Sequence, residues 1–397
     1  MPGIDDPAPD DVSPVVRVTG PLDGLVVADF SRVLAAPMAT MLLGDLGADV
    51  IKVERPDGGD DSRAWGPPFA QDESTYFLTA NRNKRSIALD LSSDEGRKVA
   101  LALIDRADVL VENFRPGTMA RLGLGYEELS ARNVRLIYCS VSGFGQGKGA
   151  RLAGYDFLVQ AVGGLMSVTG QPDGPPTKVG VALVDVLSGL HATIGILAAL
   201  EERRRTGRGQ RVEVNLLSSL LASMVNQASA YLSAGVVPRA LGNRHPSIAP
   251  YEALNVGDHT LVVAVGNDRQ FAAMCRILGR PELSEDRRYA SNADRVANRG
   301  DLVAELERLL SGRDVEQVVA ELVDAGVPAG VVNDLAAAFQ LARDLGLEPS
   351  FTMQFDGGEV GQVAHPIHYS GAGVSYRRPP PRLGQHTDEV LHWLGIR

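Results

Sequence analysis

At 397 residues, with 44% hydrophobic and 22% charged side chains, the chain is long enough for two domains or for one large domain carrying an insertion. A formal net charge of −10 argues against a general nucleic-acid binder, and no uninterrupted apolar segment is long enough to span a bilayer. Two cysteines, Cys139 and Cys275, offer neither a disulfide framework nor a metal-ligand spacing and fit a reducing cytoplasm.

In chain order, residues 1–17 are acidic and Pro-rich, lack the basic-then-apolar layout of a signal peptide, and read as a flexible tail. Residues 25–30, 35–46 and 49–54 then read as strand, helix and strand, a βαβ unit that predicts a parallel sheet covered by helices. Glu54 stands where a ribose-binding acid would, but the first turn, Ser31 to Pro37, lacks the GxGxxG fingerprint, so a nicotinamide-dinucleotide site is not expected. Arg55 follows the second strand and by itself reads as a solvated arginine at a strand end. A basic loop, Asn81 to Ser86, leads into a strand at 87–90. A helix over 93–106 and a strand over 108–112 follow, ending at Asn113-Phe114, where the carboxyl end of a parallel strand is a place for ligands. Phe114 reads equally as a core aromatic, and Arg121 as a charge on a helix surface.

A strand over 135–141 ends at Ser142-Gly143-Phe144-Gly145. Asp185 lies between an apolar run ending at Val184 and a helix expected over 186–205, whose Leu187, Leu190, Ile194, Leu197 and Leu200 recur at helical spacing, so the helix is expected to be largely buried. A carboxylate there is costly unless something needs it. Two readings fit: Asp185, or Ser188 a turn later, caps the helix, or Asp185 is a nucleophile that carries an acyl group covalently. A strand over 211–215 and a long helical stretch to Ala234 lead to a loop, Gly242 to Tyr251, containing Arg244 and His245. The strand 260–265, helices 269–278, 300–311 and 314–325 and the strand 329–332 predict a compact α/β second domain. The expected division is 18–225 for the first part of a large domain, 226–335 for linker and small domain, and 336–397 for the return to the large domain.

The run of Gly154-Tyr155-Asp156, Gln160-Ala161, Gly163-Gly164, Thr169-Gly170, Gly174-Pro175-Pro176, Val179-Gly180, Asp185, Gly189 and Thr206-Gly207-Arg208-Gly209-Gln210 resembles the class III CoA-transferases, the CaiB/BaiF group, and the likeness extends from about Leu22 to the C-terminus. The resemblance implies an α/β fold, with a Rossmann-like large domain and a smaller α/β domain, in an interlocked homodimer. It implies acyl-CoA and a small carboxylic acid as substrates, with no tightly bound cofactor and no metal. It assigns Asp185 as the nucleophile, forming an aspartyl–CoA thioester by way of mixed anhydrides, and Arg55, Lys84, Asn113, Phe114 and Arg121 as CoA contacts. Gly163 and Gly164, or Gly242, are expected to supply N–H groups to the tetrahedral oxyanion. Arg244 and His245, in a Gly-Asn-x-His-Pro loop similar to that of the branch acting on dicarboxylates, are candidate acceptor contacts, and succinyl-CoA is the preferred donor. Ser142 and Phe144 replace the lysine and tyrosine of formyl-CoA transferases, which argues against their substrate specificity. The related α-methylacyl-CoA racemases carry a histidine before the aspartate where this chain has Tyr155, a poor base at neutral pH, and acyl-CoA epimerisation is the alternative reading.

Overall fold

The computed structural model describes residues 20–396; the tail expected over 1–17 lies outside them. The chain divides into two units, the first comprising, among the described residues, 20–156, 183–219 and 350–396, and the second 157–182 and 220–349. These boundaries differ from those expected at 225 and 335. Residues 157–182 leave the first unit early because the chain there breaks into two short helices, Asp156–Val162 and Leu165–Val168, and is tied to the second unit by the Gly242 N–H, which donates to the Gly170 carbonyl at 2.9 Å. The return to the first unit comes only at 350, because a hairpin the sequence reading did not find, Ser350–Phe355 with Gly358–Val363, buries Met353, Phe355 and Val360 against Leu78.

The first unit is built on six parallel strands: β1 (Val26–Asp29), β2 (Asp49–Glu54), β3 (Lys84–Ala88), β4 (Val109–Glu112), β5 (Ile137–Ser142) and β6 (Arg211–Asn215). They lie in the order β3-β2-β1-β4-β5-β6. This is the doubly wound dinucleotide-fold order, and its direction reverses between β1 and β4. Strands buried on both faces read as near-continuous apolar runs, as β4 and β5 do. Helix α1 (Ala35–Asp45) is apolar on every side and correspondingly buried. Helix α2 (Asp94–Arg106) starts where the Ser93 side chain accepts from the Gly96 N–H, and its two first-turn acids complement the helix dipole.

Strand β3 begins at Lys84 rather than at 87, so the basic run is not a solvated loop: Asn81, Arg82, Asn83, Lys84 and Arg85 are all buried. Each cation meets a carboxylate distant in sequence. Arg82 forms a two-pronged pair with Asp45 at 2.9 and 2.6 Å, Lys84 pairs with Asp29 at 2.9 Å, and Arg85 pairs with Asp49 and, at 3.0 Å, with Glu389.

Helix α3 (Leu183–Thr206) starts three residues earlier than the spacing predicts and runs for 24 residues. It is long and apolar enough, by length and composition, to cross a membrane, a test that a core helix also passes. The face it buries is also not the expected one. Val184, Ser188, Gly189, Ala192, Ile196 and Ala199 are buried, with the helix packed on α1, β5 and β6, while Leu190 and Ile194 of the larger apolar stripe are exposed. The small residues win because the approach is close: a Cβ on Gly189 would stand 2.6 Å from the Ala35 carbonyl oxygen.

The second unit contains a three-stranded antiparallel sheet in the order Ala329–Val331, His259–Ala264, Tyr251–Val256. The strand Tyr251–Val256 is not among the elements expected from the sequence, because the Pro and Gly residues before it obscure its alternation. Helices Asp268–Ile277, Arg299–Leu310 and Val315–Asp324 close the core around Leu254, Phe271, Met274, Leu302 and Leu322.

Candidate active site

A crevice of about 150 Å³ opens at the carboxyl ends of β1, β4 and β5, where the strand order reverses. Parallel sheets place their ligands at such a point because the two flanking loops diverge there. Its walls are the β1–α1 turn (Arg32 to Ala35), the end of β4 (Asn113 to Pro116), the end of β5 and the start of α3, which contributes Asp185.

Asp185 is 9% exposed and sits in the first turn of α3. It is not the cap of that helix. The Asp156 carboxylate takes that place, accepting from the Val184 N–H at 2.8 Å and the Asp185 N–H at 3.4 Å, and the Ser188 hydroxyl donates back to the Val184 carbonyl at 2.7 Å. Among the described residues no N–H or O–H donates to the Asp185 carboxylate. Burial, reinforced by the neighbouring Asp156 charge, pushes its pKa up to about 7. Tyr76 lies in the same field: burial first, then the Asp185 and Asp156 carboxylates, push its phenol up to about 12, so it stands as a neutral hydroxyl. Its ring meets Trp65 edge-on, with centroids 5.1 Å apart. The result is a poorly solvated carboxyl, half ionised near neutrality and without competing donors, suited to attack on an electrophile or to proton transfer.

A second, more apolar slot of about 260 Å³ adjoins the crevice through Phe114, with Phe30, Val53, Leu89 and Leu122 as walls and Arg55 at its rim. The Arg32 guanidinium lies over the Phe114 ring at 5.0 Å, and Asp61 links it to Arg55, at 3.3 and 2.7 Å respectively. An apolar slot with the exposed Arg55 at its rim and the half-buried Arg32 over Phe114 fits an aromatic ring carrying phosphates.

The sequence-predicted residues thus separate. Asp185, Asn113 and Phe114 share the crevice; Phe114 and Arg55 share the slot; Arg121 is exposed next to Leu122, with its Nη2 on the Thr118 hydroxyl at 3.0 Å. Lys84 does not join them. It is 0% exposed, and its ammonium donates to Asp29 and the Pro37 carbonyl, both at 2.9 Å, and to Asn81 at 3.0 Å, so all three of its protons are used inside the fold. Asn113 is partly engaged: its amide oxygen accepts from the Arg32 N–H at 2.9 Å and its amide nitrogen donates one proton to the Arg32 carbonyl at 2.7 Å, so the side chain holds the β1–α1 turn. Glu54 is likewise committed, to Arg63 and Ser86.

Gly163, Gly164, Arg244 and His245 belong to the second unit. The Gly163 N–H donates to the Val159 carbonyl at 2.8 Å and the Gly242 N–H to Gly170, so neither is a free oxyanion donor; Gly164 takes φ +88° at the N-cap of the short helix Leu165–Val168. Arg244 is exposed, while His245 Nδ1 accepts from the Ser247 N–H at 3.1 Å and its ring rests on Tyr251.

Sequence reasoning missed Tyr76, Lys52, Asp60 and Asp61. For Lys52 a signal existed, since a lysine inside an apolar parallel strand has to find a buried acid. The acid is Asp60, 2.8 Å away, in a Gly-Gly-Asp-Asp loop that gives no periodic signal.

A sequence profile of CoA-transferase family III matches residues 22–387. The mouse (Mus musculus) protein named succinyl-CoA:glutarate CoA-transferase is 44% identical over 94% of this chain and 86% of its own length. The succinate–glutarate CoA-transferase of Agrobacterium fabrum is 42% identical over 94% of this chain and 95% of its own. Among solved structures, a CAIB/BAIF family protein from Brucella suis superposes with a TM-score of 0.85 at 42% identity, covering 95% of this chain and all of the other. With a profile match over almost the whole described chain and relatives of this identity, the protein belongs to CoA-transferase family III and is a CoA-transferase.

Proposed function

We propose that the protein moves CoA from succinyl-CoA to a second dicarboxylic acid, with Asp185 as the covalent carrier. The observation that carries the reading is the Asp185 carboxylate itself: buried, uncapped, and opening onto a crevice at the sheet's topological switch point. The donor and acceptor classes rest on the succinate and glutarate named for the two relatives above. No named relative supports the epimerase alternative, and Tyr155, 61% exposed, stands where that chemistry needs a base.

Asp185, ionised, attacks the thioester carbonyl; the tetrahedral oxyanion collapses, expelling CoA thiolate and leaving a succinyl–aspartyl anhydride. The thiolate attacks the Asp185 carbonyl of that anhydride, succinate leaves, and an aspartyl–CoA thioester remains. The acceptor carboxylate attacks this thioester and expels thiolate again, forming a second anhydride, and thiolate attack on its acceptor carbonyl yields the new acyl-CoA and restores the Asp185 carboxylate. A carboxyl with a pKa of about 7 is a better nucleophile than an ordinary one while remaining half ionised at neutral pH. The first turn of α1, which has no side-chain cap and whose Leu34 and Ala35 line the same crevice, offers N–H groups to the oxyanions. CoA would lay its adenine in the slot beside Phe114, with Arg55, Arg32 and Arg121 near its phosphates. Arg244 and His245 remain the proposed contacts of the distal acceptor carboxylate.

A homodimer is part of the proposal. Leu190 and Ile194 of the apolar stripe of α3 are exposed in the single chain, and in the second unit the helices Val225–Ala234 and Leu335–Asp344 have no buried residue, exposing Leu232, Leu335 and Leu341. A second copy would cover these faces. Two free buried thiols suit a reducing compartment such as the cytoplasm.

Intact-mass measurement after incubation with succinyl-CoA, on the native chain and on Asp185→Ala, tests the reading. The expected result is a CoA adduct on the native chain alone. Adduct on both would exclude Asp185 as the carrier, and deuterium exchange at the α-carbon of a branched acyl-CoA with no adduct would restore the epimerase.

A further inference from the structure

Val33 has φ +71°, a left-handed conformation that a β-branched residue adopts only under compulsion. The compulsion is visible atom by atom. The Ser31 carbonyl accepts from the Lys52 ammonium at 2.8 Å, and the Val33 N–H donates to the Asp60 carboxylate at 3.1 Å. Between them, the Arg32 N–H and carbonyl are both taken by the Asn113 side chain. Lys52 and Asp60 are bonded to each other at 2.8 Å and have fully buried side chains, and Ser62 further fixes Asp60 through its N–H and hydroxyl at 3.0 and 2.8 Å. Three side chains from three separate segments, β2, the loop after it and the end of β4, thus grip one strained turn. That turn feeds directly into Leu34 and Ala35, which form the crevice wall shared with Asp185.

We propose that Lys52, Asp60 and Asn113 are positioning residues for acyl transfer: by clamping the strained turn at 31–33 they set the crevice wall against which the Asp185 adduct forms. The inference rests on the CoA-transfer reading. None of the three needs to touch substrate. The clamp stays ionised over the working pH range, because although burial pushes the Asp60 carboxyl up, the Lys52 charge and the N–H donors outweigh it and hold it at about 2. Glycine takes a positive φ without strain, so a chain with glycine at 33 would keep the turn's shape with less help from the clamp. A purely structural role for Asn113 predicts no such dependence on residue 33.

The test is the rate of CoA-adduct formation from succinyl-CoA, followed by quenched intact-mass measurement on the full chain. The variants are Asn113→Ala, Val33→Gly and the pair combined, with Asn113→Asp as a milder variant that keeps an acceptor for the Arg32 N–H. Expected is a loss of roughly tenfold or more in the saturating rate for Asn113→Ala, with the half-saturating concentration changed by less than about threefold, and a smaller loss for Asn113→Asp. In the Val33→Gly background the same Asn113→Ala change should cost less than about threefold, the signature of coupled residues. An unchanged rate in Asn113→Ala would overturn the inference, as would an equal loss in both backgrounds. A rise in half-saturating concentration with the rate intact would overturn it as well, making Asn113 a ligand contact. Native chain that forms no adduct removes the CoA-transfer reading and the inference with it, whereas adduct formation indifferent to the clamp removes the inference alone.

Discussion

At the scale of single residues, the proposed mechanism turns on how far the fold raises one carboxyl. Asp185 is pushed up to about 7 by burial and then by Asp156, so its ionised, nucleophilic fraction grows as pH rises through that value. Adduct formation should therefore climb with pH and level off above about 8, as measured by single-turnover rates in buffers of constant ionic strength. Asp156→Asn keeps an oxygen to accept from the Val184 N–H but removes the charge, so the inflection should move to lower pH without reaching the ordinary carboxyl range, since burial remains. The same shift has a thermodynamic face. A carboxyl whose folded pKa exceeds its unfolded one binds protons preferentially in the native state, so it costs nothing at acid pH and costs most above the folded pKa. Asp185→Asn should accordingly be more stable than the native chain, by up to the order of 4 kcal/mol at pH 8, with the gap opening between about pH 4 and 7 in thermal melts.

At the scale of elements, two close contacts hold the crevice in register. Gly189, one turn beyond Asp185, lets α3 approach α1, and a methyl there would meet the Ala35 carbonyl oxygen at 2.6 Å. Gly189→Ala should lower stability by roughly 1–3 kcal/mol and also slow adduct formation, because it forces apart the two helix starts that form the crevice walls; chemical denaturation and single-turnover kinetics report the two effects separately. Beneath α1, the Lys84–Asp29 pair joins β3 to β1, and Thr40 adds a hydroxyl bond to Asp29 at 2.7 Å. Lys84→Met would leave Asp29 buried without its cation, at a cost of roughly 3–5 kcal/mol in urea unfolding. Its half-saturating concentration for succinyl-CoA should stay unchanged, because Lys84 reaches no ligand.

For the whole molecule, the proposed dimer rests on the apolar side chains left exposed on α3 and on two helices of the second unit. Sedimentation velocity should give a single species at twice the mass of the chain, persisting on dilution. Ile194→Asp, which places a charge on the exposed stripe, should shift it toward the monomer. A sedimentation coefficient of the single chain at micromolar concentration would remove the dimer from the proposal.

The parallel sheet was legible in the sequence because its strands are buried on both faces: β1, β2, β4, β5 and β6 stand within two residues of where the apolar runs place them. Asp185 was legible for the same reason, since a lone carboxylate between apolar segments requires an explanation. What the sequence could not reveal is which charges are spent on one another. Arg82, Lys84 and Arg85 read as a basic loop, with Lys84 a CoA contact, until the fold pairs them with Asp45, Asp29 and Asp49, each more than 30 residues away. Nor could it reveal that Asn113, expected as a ligand contact, holds the Arg32 backbone between its two amide atoms. The buried face of α3 is the same lesson, because hydrophobicity favoured the leucine stripe while the Ala35 carbonyl admits only the glycine side. Local pattern determined where strands and helices run and singled out Asp185 as a carboxylate needing an explanation; long-range electrostatic pairing and steric fit, which depend on distances no local pattern encodes, decided which polar groups remain free to meet a substrate.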